Sequence, residues 1–364
     1  MNKKELFTWL ENEGLLGTVT KEYVHFKKVL IDCLNIQKES VLLIGDLGYP
    51  TRRVPPLMLG CYALAAKSLN IPCSLAIQYP KLRGENCDEH VIEALLDSGE
   101  KNAIVLCTSG KLGKLDAIGR SFRKFIRERK HKFVSTPSLN DLPTHKYSSL
   151  IRAIDIDYRN LRKKGKELQN LFDEGKEIHV TTRKGTDLYY GIEGMKSTAN
   201  VANLKAYSVG GNIPAGEVFV PCRDKQVSGR VVIDASIRIM ETTLLIKKPV
   251  TIIIEHGEVT EIHGGEEARA LESTLRFASE TAKFPWGIRR VGEFGVGINS
   301  RAKVVGPTII NEKALGTAHI GIGSNAWFGG SIYAITHLDQ VFTEPFIKID
   351  GQLINGAVSK YIAL

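Results

Sequence analysis

The chain has 364 residues, with 49 Lys and Arg against 40 Asp and Glu, a formal net charge of +9, 43% apolar residues and 24% charged residues. That balance suits a globular chain with room for two cores of about 150 to 200 residues each, and it excludes collagen-like, low-complexity and disordered classes. The longest apolar runs, Val41–Ile44 and Val250–Ile254, fall far short of the roughly 18 residues that span a bilayer, so no membrane partner is expected. Met1–Leu10 is charged and amphipathic, without the apolar centre of a secretory signal, which points to the cytoplasm. Cys33, Cys61, Cys73, Cys87, Cys107 and Cys222 form no CxxC pair and read as reduced, mostly buried thiols.

In chain order, Val41–Gly45 reads as a strand, Val54–Ser68 as a helix, Cys73–Tyr79 as a strand, Glu89–Leu96 as a helix, and Ala103–Thr108 as a strand. The loop Gly45-Asp46-Leu47-Gly48-Tyr49-Pro50 lacks the glycine spacing that wraps a phosphate. Between Arg120 and Lys132 the basic residues Arg120, Arg123, Lys124, Arg127, Arg129, Lys130 and Lys132 face one acid, Glu128. With Phe122, Phe125 and Ile126 at helical spacing, this segment reads as a helix with one buried stripe and a solvated basic face. A nucleic-acid interface would need aromatic platforms or a recognisable module around it, and none is written there. Phe133–Thr136 closes the series as another strand. The alternation is that of an α/β domain with a parallel-type sheet, roughly 1–175, ending in a polar helix at Tyr158–Phe172 and Gly175.

From Glu177 the pattern changes. Ile178–Thr182, Leu188–Gly191, Gly216–Val220, Gly229–Ala235, Thr243–Ile246, Val250–Glu255 and Val259–Ile262 read as strands, interrupted by one long helix at Glu266–Ala282. The expectation is an antiparallel-rich α+β metal-binding domain over 176–364. His256-Gly257 reads as a hairpin turn, which gives neither His256 nor His263 a catalytic role. Arg289 and Arg290 read as structural or solvent-facing pairs.

The chemistry is written near glycine-rich turns. Glu217 follows the turn in Asn212-Ile213-Pro214-Ala215-Gly216 and heads an apolar strand, and Glu293 repeats the arrangement in Gly292-Glu293-Phe294-Gly295-Val296-Gly297. His319 stands among small residues in Gly316-Thr317-Ala318-His319-Ile320-Gly321. His337 and Asp339, two apart in an apolar strand, project to one face and can reach a single ion. Glu217, Glu293, His319, His337 and Asp339 supply three carboxylates and two imidazoles, enough for one or two divalent ions.

The order of NIPAGEVFVP, GEFGVGIN, NEKALGTAHIGIG, FGG and THLD, with Gly185-Thr186-Asp187-Leu188 before them, resembles the aminopeptidase T family of metallopeptidases. The resemblance covers about Thr181 to Asp339, and the N-terminal half only in general architecture. It implies a metallo-aminopeptidase acting on peptides, dimeric, with two divalent ions (Zn, Co or Mn) held by Glu217, Glu293, His319, His337 and Asp339. Glu312, at the NEK position, is then the carboxylate that transfers a proton or orients a ligand. Three features depart from the family: Asn311 stands where aspartate is common, Ala326 and Trp327 where a tyrosine is common, and the interval from His319 to His337 is short. The related 2,5-dihydroxypyridine dioxygenases hold one Fe(II) by two histidines and an aspartate, a set that His319, His337 and Asp339 would satisfy. Retention of Glu217 and Glu293 favours the two-ion set. A metal-site binding protein without turnover is the third reading.

Overall fold

A computed structural model of the chain describes residues 1–119, 122–240 and 242–354. They divide into two compact units, one formed by Met1–Tyr158 with Ala202–Ala215, the other by Arg159–Val201 with the described residues from Gly216 onward.

The first unit is built on a five-stranded parallel sheet in the order Cys73–Gln78, Val41–Asp46, Ala103–Cys107, Lys132–Thr136, Gly210–Asn212. Parallel neighbours need crossover connections, and the helices Val54–Ser68 and Glu89–Asp97 supply two of them. Val41–Asp46 is buried throughout, as expected of a strand covered on both faces. Leu42, Ile44, Ile104, Val91, Leu95, Phe125 and Ile126 share one core.

The basic segment is shorter and less uniform than its charge pattern suggests. Its helix is Phe122–Glu128, with Phe125 and Ile126 buried, and Arg120 lies outside the described residues. Lys132 is not on a solvated face: it opens a strand, is 3% exposed, and its ammonium lies 2.5 Å from the Glu39 carboxylate. Glu39 also accepts from Tyr207 Oη at 2.9 Å and from the Gln37 amide at 2.7 Å. Among the described residues the six cysteines are free thiols, five of them buried, and no helix is long and apolar enough to cross a membrane.

The second unit begins earlier than position 175, because the helix Tyr158–Glu174 belongs to it from Arg159. Gly165 lets that helix approach Val201 and Ile298, and Phe172 packs beside Phe294 at 6.3 Å between ring centroids. Ala202–Ala215 return to the first unit because Gly210–Asn212 pairs with Lys132–Thr136.

Two seven-stranded antiparallel sheets make up the second unit. One runs Glu258–His263, Val250–Glu255, Val227–Ile233, Asp187–Gly191, Glu177–Thr181, Phe346–Ile349, Gln352–Leu353. Its first two strands form the expected hairpin, with His256 at φ +48° and Gly257 at +77°, as a type I′ turn requires. Arg289 forms a two-bond pair with Glu272, and Arg290 donates to the His256 carbonyl, so both arginines are structural.

The other sheet carries the candidate site. Its order is Thr243–Leu245, Ser236–Arg238, His337–Thr343, Thr317–Gly323, Val291–Gly297, Glu217–Pro221, Thr198–Asn200. Register places Asp339 opposite Gly321 and Gly321 opposite Glu293, while His319 is opposite Gly295 and Glu217 opposite Gly297. By the two-residue period of strands, Glu217, Phe219, Glu293, His319, His337 and Asp339 share one face.

Candidate metal centre

All five candidate ligands named from the sequence come together on this face, and Glu312 joins them. Glu217, Glu312 and His319 form one group, and Glu293, His337 and Asp339 form another, with the ligand atoms of each within 4.8 Å of one another. Glu293 lies between them, with Oε1 3.1 Å from His319 Nε2 and Oε2 3.3 Å from His337 Nε2. His337 Nε2 is also 3.1 Å from Asp339 Oδ1. Glu217 heads its strand as expected, whereas Glu293 is the third residue of its strand, which begins at Val291.

Two glycines make this density possible. A Cβ on Gly295 would lie 2.2 Å from the His319 ring, so only glycine lets the imidazole cross the neighbouring strand. A Cβ on Gly321 would lie 2.9 Å from Glu293 Cβ, 3.0 Å from His337 Cε1 and 3.2 Å from Asp339 Oδ1.

The donor set fits a divalent first-row cation. Glu293 Oε2 and Asp339 Oδ1 are buried around the one Nε2 of His337 without a well-aligned hydrogen bond, an arrangement costly for carboxylate oxygens unless a cation serves them. His337 Nδ1 is 2.8 Å from the Ser324 carbonyl, which can only accept, so that nitrogen carries the proton and Nε2 faces the carboxylates. Burial opposes charge on each group, but around His319 the carboxylates of Glu293, Asp339 and Glu312 outweigh it and lift the imidazole to about 9. His337 is raised well above its ordinary range against burial, by Asp339 and Glu293. Glu312 is pushed up to about 8 by burial, with Glu217 and Asp339 adding to the effect and Lys313 opposing it.

Lys313 was legible only as a letter in the NEK motif. It is fully buried, 2.6 Å from Glu217 Oε1 and in contact with Glu312 Oε1. Asn200 donates to the same Glu217 oxygen at 3.3 Å. Aromatic side chains also stand beside the centre. Phe328 and Trp327 lie 6.1 and 6.0 Å from the His337 ring, edge-on to it, and Phe219 packs against both at 5.1 and 5.8 Å. Trp327 is 49% exposed.

The family model for 2,5-dihydroxypyridine 5,6-dioxygenase (NicX) matches residues 147–359, more than half of the chain. The chain belongs to the 2,5-dihydroxypyridine 5,6-dioxygenase family. The motif resemblance ranks aminopeptidase T ahead of these dioxygenases, and the family match reverses that order. A 2,5-dihydroxypyridine 5,6-dioxygenase of Pseudomonas putida is 21% identical over 192 residues, 51% of this chain and 54% of that protein, so the chain matches about half the length of this curated relative. The solved structure of a 2,5-dihydroxypyridine dioxygenase from Pseudomonas putida KT2440 shares the fold, with a TM-score of 0.69 at 15% identity over 94% of this chain and 99% of that one. Wild-type AmpT from Thermus thermophilus shares it too, with a TM-score of 0.64 at 17% identity over 94% of this chain and all of the other. The scaffold is thus common to both kinds of enzyme.

Proposed function

We propose that the chain is an oxygenase with one ferrous ion that opens a hydroxylated aromatic or heteroaromatic ring of the 2,5-dihydroxypyridine type. His319, His337 and Asp339 would hold the ion, with Glu293 beside them. The observation that carries this reading is the aromatic wall of Trp327, Phe328 and Phe219 set against His337, a surface suited to a flat ring. Membership of the dioxygenase family supports it.

A ferrous ion in a site of two histidines and one carboxylate supplies the one-electron chemistry that lets O2 react with a closed-shell ring. The chain's own residues do the rest. The Ser324 carbonyl fixes the His337 tautomer, and Gly295 and Gly321 leave room for the imidazoles. Trp327 and Phe328 orient the ring and exclude water from one of its faces. Glu312 is assigned to proton transfer with a ring hydroxyl, because Lys313 holds its Oε1 and its carboxylate stands with Glu217 and His319.

A second reading, metallo-aminopeptidase, has a specific observation in its favour: Glu217, Glu312 and His319 form a second ligand group beside the first. It requires two ions (Zn, Co or Mn) and peptide substrates. For either reading we propose the homodimer that the motif resemblance implies. O2 uptake by the Fe(II)-loaded protein on 2,5-dihydroxypyridine and related ring diols, run beside release of arylamine from aminoacyl-arylamides by the Zn-, Co- or Mn-loaded protein, separates the readings. Ring-dependent O2 uptake without arylamide cleavage is expected. Arylamide cleavage without O2 uptake would make the chain a peptidase, and neither activity would favour a non-catalytic binding role.

A further inference from the structure

Lys313 has no solvent exposure, and its backbone cannot withdraw. Its carbonyl accepts from the Asn299 amide at 2.8 Å and its own amide donates to the Ile310 carbonyl at 3.2 Å, fixing it between the Asn299 turn and the short helix Thr308–Asn311. From there the ammonium reaches the carboxylates of both Glu217 and Glu312. A buried lysine is tolerated only with such partners. The group formed by Glu217, Glu312 and His319 therefore already contains a fixed cation, whereas Glu293 Oε2 and Asp339 Oδ1 in the other group share one imidazole nitrogen, His337 Nε2, and face no lysine or arginine. A divalent ion entering the Glu217 group would share two carboxylates with an ammonium, and would be repelled twice as strongly as a monovalent one at the same spacing.

We propose that Lys313 serves as the second cation of this centre, occupying the Glu217 and Glu312 carboxylates and limiting the protein to one divalent ion, beside His337 and Asp339. The number of carboxylates then does not require a second metal. The proposal rests on the reading of this centre as a metal site. It assigns Lys313 a positioning role, setting metal stoichiometry and holding Glu312, with no contact to substrate.

The test uses the full chain, stripped with chelator, dialysed against Co(II), and read by metal per chain and by the visible spectrum of the bound ion. Wild type and Lys313→Arg are expected to hold one equivalent. Lys313→Met is expected to hold two, with a second set of visible bands, and Lys313→Met/Glu217→Gln to return to one. Two equivalents in wild type with affinities within about tenfold of each other, or one equivalent in Lys313→Met, would overturn the assignment and leave the metal centre itself standing. No tight binding by folded wild type would sink the metal-site reading, and this assignment with it. Should Lys313→Met fail to fold, Glu217→Gln decides: an unchanged single equivalent is expected, and the loss of a second equivalent contradicts the proposal.

Discussion

Asn311 departs from the aspartate common in the aminopeptidase T pattern, and its surroundings give the reason. It is fully buried, its Oδ1 accepts from the Val305 and Gly306 amides, and its Nδ2 donates to Ser236 Oγ and the Gly306 carbonyl. An aspartate has no donor for those last two partners. Its role is to shape the turn that precedes Glu312 and Lys313. At the centre itself, Asp339→Ala is expected to lose tightly bound metal while the chain stays folded, because a methyl group at a rigid strand position replaces no ligand atom. Metal content per chain checks this, and full retention would remove Asp339 from the centre. Trp327→Ala should leave metal content unchanged and raise KM for a ring substrate several-fold, in keeping with about 1 kcal/mol for an aromatic contact. An unchanged KM would deny the wall a part in substrate binding.

Of the strands that carry the site, Glu217–Pro221 and the one holding His337 and Asp339 were legible as apolar strands, whereas Thr317–Gly323, buried throughout and rich in glycine, was not read as one. His337 and Asp339 in HxD were bound to share a face, and Glu217 was correctly placed at the head of its strand. Cross-strand register was not legible, so the alignment of Asp339, Gly321 and Glu293 could not be read from the chain. The identities of buried cations were hidden too. Lysine is ordinarily exposed, so neither Lys313 nor Lys132 could be told from its solvated neighbours until the carboxylates facing them were known. Gly321→Ala tests the register directly: its Cβ would press on Glu293, His337 and Asp339. We expect metal affinity to fall by about tenfold or more, as when the supports of ligands are disturbed. Unchanged affinity would contradict the geometry.

The Glu39–Lys132 pair gives a pH prediction remote from the metal centre. Burial raises the Glu39 carboxyl, but Lys132, the amides nearby and Tyr207 outweigh it and bring it from 4.5 down to about 2. A depressed folded-state value means that the pair stabilises the fold above the unfolded value, near 4.5, and that this contribution is lost as pH falls towards 2. Comparing urea unfolding of wild type and Glu39→Gln at pH 5 and pH 2.5 isolates the effect. Wild type should lose about 1 to 3 kcal/mol more than the variant over that interval. Equal losses would show that Glu39 is not held ionised by its partners.

At the scale of the whole molecule, the change from alternating helices and strands to a strand-rich pattern near position 175 revealed two architectures in one chain, and both are present. Their interleaving was not visible. Gly210–Asn212 is a strand of three residues, two of them glycine, with no propensity to announce it, yet its pairing returns Ala202–Ala215 to the first unit. The long polar helix also looked like the end of the first half, because only its contacts with Val201, Ile298 and Phe294 reveal its place. The same limit applies to function. Motif order pointed to a scaffold shared by AmpT and the dioxygenases, and the proposed function and metal count rest instead on the aromatic wall and the buried Lys313, whose placement beside the ligands is a product of folding. The most direct test is product analysis after turnover of 2,5-dihydroxypyridine by the Fe(II)-loaded protein under 18O2. The proposed function predicts a ring-opened product carrying both labelled atoms. An unconsumed ring, with aminoacyl-arylamides cleaved instead by the same protein loaded with Zn or Co, would contradict it.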